Sequence, residues 1–103
     1  MAVKRTYTSG NWVVKQGQEE EFVRRWKEFA EWSAKNVPGS GDFYLIAETN
    51  NPRHFLSFGS WESPEAVSRW RQMPEFKDFI GKCKQLCENF QAADYTLKVS
   101  SQD

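Results

Sequence analysis

Two stretches of helical hydrophobic spacing, separated by a pair of strand-like runs and flanked by others, leave this chain few ways to fold. From Gln18 to about Asn36 the residues Phe22, Trp26, Phe29, Ala30 and Ser33 recur at helical spacing, with Glu19, Glu20 and Glu21 where a helix dipole favours negative charge. Asn36-Val37-Pro38-Gly39-Ser40-Gly41 ends that helix, because proline cannot extend the hydrogen-bond ladder. Before it, residues 11–15 (Asn-Trp-Val-Val-Lys) read as a strand closed by Gly17. After it, residues 43–47 and 54–61 read as strands joined by the turn Asn50-Asn51-Pro52-Arg53, a hairpin. Ser63, Pro64 and Glu65 start a second helix as cap, first helical residue and dipole partner. Its apolar face runs Ala66, Val67, Trp70 and Met73; Pro74 interrupts it, and it resumes with Phe76, Phe79, Ile80, Cys83, Leu86 and Cys87. Residues 95–99 alternate and read as a last strand, with fraying expected over residues 100–103.

The order strand, helix, strand, strand, helix, strand is the split βαβ arrangement of the ferredoxin-like α+β fold. It predicts a four-stranded antiparallel sheet with both helices on one face, in a single domain spanning residues 1–103. The other sheet face is then bare, and an apolar bare face predicts a homodimer. Eight Phe, five Trp and three Tyr sharpen that expectation, because so many rings must fill a core and also line a pocket or a partner surface.

Fourteen acidic and fourteen basic residues balance without blocks of like charge, which argues against a nucleic-acid or membrane-surface binder. No apolar run approaches the roughly 20 residues of a membrane helix, and the polar start MAVKRTYTSG lacks a signal-peptide centre, so a cytoplasmic location is expected. Cys83 and Cys87 form neither a disulfide framework nor a zinc set and are expected as reduced core thiols. A serine nucleophile elbow, a phosphate loop, a metal-binding His pair and a dinucleotide fingerprint are all missing from the sequence.

Three features carry a family resemblance: the Gly17 turn followed by Glu-Glu-Glu-Phe, the run Phe58-Gly59-Ser60-Trp61-Glu62, and Ser63-Pro64-Glu65-Ala66 with Trp70 and Pro74-Glu75-Phe76 beyond it. With them the chain resembles the antibiotic biosynthesis monooxygenase family of dimeric α+β barrels over residues 9–99, and these motifs speak for fold more than for chemistry. The resemblance implies a dimer with sheets packed face to face and, in each subunit, a pocket between sheet and helices. Some relatives oxygenate quinol or anthrone substrates with molecular oxygen and no cofactor, and others degrade haem. The haem degraders combine a first-strand asparagine, a helix tryptophan and a ligating histidine further along that helix. Trp70 fits the tryptophan, but the asparagine position falls on Gly10, one residue from Asn11, and Ile80 or Gly81 stands where the histidine belongs. The resemblance therefore favours a cofactor-free oxygenase over a haem degrader.

Candidate catalytic residues are Trp70, Asn11 and His54; candidate substrate-binding residues are Tyr44, Trp61, Phe58, Trp26 and Phe79. Trp70 is either a core residue whose ring N–H finds an acceptor or a wall of the pocket. Asn11 offers an amide to a phenolate or peroxide, or simply sits at a strand start. His54 is a general base or an exposed residue beside its turn. Tyr44 and Trp61 stack on a ligand or fill the packed layer, and Trp26 and Trp32, six apart, cannot share a helix face. Two functions follow: a monooxygenase for an aromatic phenol or quinol, and a non-enzymatic dimer that holds a small apolar molecule or a protein partner. Polar groups converging on one cavity, such as Asn11, His54, Tyr44 or Arg69, favour the enzyme; a wholly apolar cavity favours the binder.

Overall fold

The computed structural model describes residues 4–102; the first three residues of the polar start and Asp103 of the tail lie outside the described residues. Strand β1 (Thr6–Val14) leads into helix α1 (Glu19–Asn36), strands β2 (Ser40–Glu48) and β3 (Asn51–Trp61), helices α2 (Pro64–Gln72) and α3 (Pro74–Gln85), and strand β4 (Cys87–Thr96). The strands form one antiparallel sheet in the order β2-β3-β1-β4, and the helices cover one of its faces, the predicted ferredoxin-like arrangement.

Local chemistry explains the helix ends. Ser63 is extended and its side chain accepts from the Ala66 amide at 3.2 Å, with Pro64 at the first helical position. The expected interruption falls at Met73, which is extended (φ −71°, ψ 136°) between α2 and Pro74, the first residue of α3.

The strands are longer than the sequence alone suggests. β1 begins at Thr6 rather than residue 11, β2 spans Ser40–Glu48, and β3 begins at Asn51, leaving Thr49 and Asn50 as the turn. The largest correction is at the end of the chain. α3 stops at Gln85, Cys87 opens β4, and the last strand is Cys87–Thr96 rather than residues 95–99. Residues such as Glu88, Asn89 and Asp94 carry little strand preference of their own; β4 is a strand because it pairs with β1, from Thr6 opposite Thr96 to Trp12 opposite Phe90. Leu97 adds one more bond, donating its amide to the Arg5 carbonyl at 2.7 Å.

The core lies between sheet and helices. Trp12, Val14, Phe55 and Trp61 from the strands meet Phe22, Trp26, Phe29, Val67, Trp70 and Cys83 from the helices. Trp12 stacks on Phe90 (4.0 Å between centroids) and tilts against Phe22 (5.1 Å). Trp32 does not share the face of Trp26; it is half-buried and stacks on Phe79 of α3 at 5.3 Å. The side of the sheet away from the helices exposes Tyr44, Ile46, Leu56 and Tyr95.

Candidate active site

Side chains on a strand alternate between faces. On β1 the helix side receives Thr8, Gly10, Trp12 and Val14, and on β3 it receives Phe55, Ser57, Gly59 and Trp61. Thr8 pairs with Gly59 and Gly10 with Ser57, so four small residues sit together in the middle of an otherwise aromatic layer. They floor a cavity of about 280 Å³, walled by Trp26, Phe29, Phe43, Trp70, Phe76 and Phe90. Glycine is required at two floor positions. A β-carbon on Gly10 would stand 2.6 Å from the Trp12 indole nitrogen and 2.8 Å from Ser57 Oγ, and one on Gly59 would run into the Phe43 ring.

Three buried tryptophans around this space each donate their ring N–H to a buried hydroxyl. Trp12 Nε1 reaches Ser57 Oγ at 3.0 Å, Trp61 Nε1 reaches Thr8 Oγ1 at 3.1 Å, and Trp70 Nε1 reaches Ser33 Oγ at 2.9 Å. All three hydroxyls line the cavity, which is therefore apolar on its walls and polar at set points. At the rim, Arg71 holds Asp94 in two hydrogen bonds (2.9 and 2.6 Å), and Lys84 lies 5.8 Å from the centroid of the Phe90 ring. The Arg71 guanidinium keeps the Asp94 carboxyl below its usual range and is itself raised by that partner. Among the described residues no Asp, Glu or His lines the cavity.

The structure divides the sequence candidates between two faces. Trp70 and Trp26 line the cavity. Trp70, 7% exposed, lies near-parallel to Phe29 at 5.5 Å and edge-on to Phe76 at 4.7 Å, and its N–H is already engaged by Ser33. Trp61 is fully buried behind Trp70 (4.7 Å), and Phe79 packs beside Phe29 at 6.1 Å; neither reaches the cavity surface. Asn11, His54 and Tyr44 do not converge with Trp70, a correction to the idea of one shared pocket. Odd positions of β1 and even positions of β2 and β3 project away from the helices, so these three side chains lie on the bare sheet face. There His54 bridges Glu48 Oε1 (2.8 Å, through Nδ1) and Asn11 Oδ1 (2.8 Å, through Nε2), while the Tyr44 ring lies tilted against the Phe58 ring at 5.3 Å. Phe58 borders the cavity, but its even position on β3 and its contact with Tyr44 put its ring on the bare face. Arg69 is exposed outside the cavity; Arg71, two residues on, occupies the rim.

The floor residues are the ones that sequence reasoning misses. Ser57 and Gly59 stand at period two among aromatic neighbours, a readable sign of a gap on one strand face. Thr8 and Gly10 carry the same sign, in a segment that local spacing leaves outside the strand.

Cys83 is fully buried and Cys87 half-buried, and both are free thiols. Burial pushes their ionisation up to about 12 and about 11 respectively, so neither is a nucleophile near neutral pH. Among the described residues no group of three metal-binding side chains occurs, and no helix is long and apolar enough to cross a membrane.

Solved structures share this architecture. SnoaB, a cofactor-independent oxygenase from Streptomyces nogalater, superposes with a TM-score of 0.88 at 17% identity, covering 98% of this chain and 100% of its own. A mutant of the same protein gives a TM-score of 0.90 at the same identity and coverage. A conserved protein from Methanosarcina mazei Go1 gives 0.82 at 17% identity, covering 92% of this chain and 94% of its own. At such identities the likeness concerns the fold. A search of curated protein sequences finds no match. The family model for antibiotic biosynthesis monooxygenase matches residues 10–82, most of the chain, and the chain therefore belongs to the antibiotic biosynthesis monooxygenase family.

Proposed function

We propose that this protein is a cofactor-independent monooxygenase that oxidises a flat phenol, quinol or anthrone with molecular oxygen in the cavity between sheet and helices. The observation that carries this reading is the cavity itself: aromatic walls to hold a planar ring system, with hydroxyls at the floor and two cations at the rim. The substrate enters as its anion, having lost its proton to water, and Arg71 and Lys84 favour that form electrostatically. The anion passes one electron to oxygen, and the radical pair joins through a new C–O bond to give a peroxide on the ring carbon. The remaining C–H proton passes to the departing oxygen as the O–O bond breaks, leaving a carbonyl and hydroxide, and the proton given up when the substrate ionised converts that hydroxide to water. One oxygen atom ends in the quinone and one in water, and the substrate supplies all the electrons. The protein's part is to exclude water, hold the ring and favour the anion.

Trp70 and Trp26 are proposed to hold the substrate ring, with Phe79 and Trp61 packed behind the walls. Asn11, His54, Tyr44 and Phe58 are proposed instead to meet a second copy of the chain, because they share the bare face with Ile46, Leu56 and Tyr95. Haem turnover is not part of this reading: Ile80 lines the cavity where a ligating histidine would stand, and His54 is on the other face.

One observation favours a second reading, a dimer that binds an apolar molecule without converting it: among the described residues no carboxylate or imidazole lines the cavity to take a proton. Aerobic incubation with a panel of dihydroxyarenes and anthrones in excess chelator, following oxygen uptake, separates the two. The oxygenase reading expects one oxygen consumed per quinone formed, unaffected by chelator. Tight binding without oxygen uptake supports the second reading, and uptake abolished by chelation rules out the cofactor-free mechanism.

A further inference from the structure

We propose that the hydroxyls of Thr8 and Ser57 are a matched pair of hydrogen-bond donors that receive the ionised oxygens of the aromatic ligand on the cavity floor. The proposal deepens the oxygenase reading and rests on its premise that this cavity is the ligand site.

Hydrogen-bond capacity assigns the direction of each contact. A hydroxyl has one hydrogen to give and lone pairs to accept with, whereas an indole nitrogen only donates. Where Trp12 meets Ser57 and Trp61 meets Thr8, the hydroxyl oxygen must be the acceptor, so its own hydrogen points elsewhere. Ser33 shows the closed form of the same motif: it accepts from Trp70 and passes its hydrogen to the Phe29 carbonyl at 2.8 Å. Thr8 and Ser57 have no such outlet. Each is 7% exposed, and neither donates to any group among the described residues. A buried donor without an acceptor is unfavourable, and both of these face the same cavity.

Position adds to capacity. Thr8 and Ser57 occupy diagonal positions on neighbouring strands, with Gly59 opposite Thr8 and Gly10 opposite Ser57. Any side chain at Gly10 would crowd Ser57 Oγ, so the glycine keeps the space beside that hydroxyl open. Water is a poor permanent occupant between aromatic walls that offer it few partners. An anionic oxygen is the better match. Accepting an indole hydrogen polarises each hydroxyl toward stronger donation, and the rim adds the charges of Lys84 and of Arg71, the latter paired with Asp94. Phenolate oxygens carried on a flat ring system fit both donors and walls.

Alizarin, a dihydroxyanthraquinone dye whose colour reports its ionisation, tests this. Bound to the native protein it should ionise about one pH unit or more below the free dye, equivalent to an anion held about tenfold better than the neutral form. The Thr8→Val/Ser57→Ala double variant should bind the dye and lose that shift, while Thr8→Ser and Ser57→Thr should keep it. If Thr8→Val does not fold, Ser57→Ala alone must reduce the shift. A shift that survives in Ser57→Ala and in the double variant overturns the donor pair and leaves the cavity as the site. A dye that does not bind, or that binds unchanged when Ala30→Trp fills the cavity, overturns the site itself and the donor pair with it.

Discussion

The indole N–H of Trp70 on α2 donates to the hydroxyl of Ser33 on α1 at 2.9 Å, and Ser33 in turn donates to the Phe29 carbonyl one turn back along α1. This buried relay ties α1 and α2 together beside the cavity, so Trp70 has a structural duty whatever else it does. Ser33→Ala strands a buried N–H and should cost about 1 to 3 kcal/mol. Trp70→Phe removes donor and ring area and should cost about 2 kcal/mol. Because both changes break one bond, the double variant should be less destabilised than the sum, by about 1 kcal/mol in a denaturant cycle. Full additivity would mean the bond contributes nothing. For catalysis, Trp70→Phe should lower turnover of folded protein about tenfold or more if the ring positions the substrate.

Leu56 lies at the centre of the bare sheet face, between Ile46 of β2 and Asn11 of β1. With Tyr44, Ile46 and Tyr95 exposed around it, a charge at this point should prevent two copies from packing sheet to sheet. The native chain is expected to sediment as a dimer at micromolar concentration and Leu56→Glu as a monomer. A native monomer would remove the proposed interface and, with it, the dimer contacts of Asn11 and His54.

The Cys83 thiol makes an alkaline prediction. Its folded ionisation is pushed up to about 12 from an ordinary value of 9.0, chiefly by burial. The neutral thiol is the form the fold accommodates, so its contribution is intact below pH 9 and is lost as pH rises toward 12 and the unfolded chain ionises. Denaturation midpoints should fall with pH over that window, and Cys83→Ala should flatten the fall at some cost in packing. Ellman's reagent at about pH 8, below the ordinary thiol range, should label Cys83 only after unfolding.

Arg71 and Asp94 give the acid counterpart. Asp94 is held below its ordinary 3.8 by its hydrogen bonds to Arg71, so this pair contributes fully above that pH and is lost as pH falls through the lower folded value. The pair is half-exposed, so Asp94→Asn should cost under about 1 kcal/mol. The same change frees the rim guanidinium, so it should tighten binding of an anionic aromatic ligand as it flattens the acid-side stability profile. Unchanged affinity would place Arg71 outside the site.

Sequence alone determined what depends on local spacing. The helix periodicity of Phe22, Trp26 and Phe29, the Ser63-Pro64 start and the stop at Pro74 are short-range signals, and they were enough to fix element order and hence the ferredoxin-like fold. Tertiary structure decided what depends on pairing. β4 exists because β1 supplies its hydrogen bonds, and residues such as Glu88 and Asn89 announce no strand by themselves. Strand parity decided the site, since a shift of one residue moves a side chain to the other face: Asn11 and His54 went to the bare side, while Thr8, Gly10, Ser57 and Gly59 became the cavity floor. Small residues make a cavity only when the folded sheet sets them side by side beneath aromatic neighbours, and that adjacency spans about 50 residues of chain, beyond the reach of any local pattern.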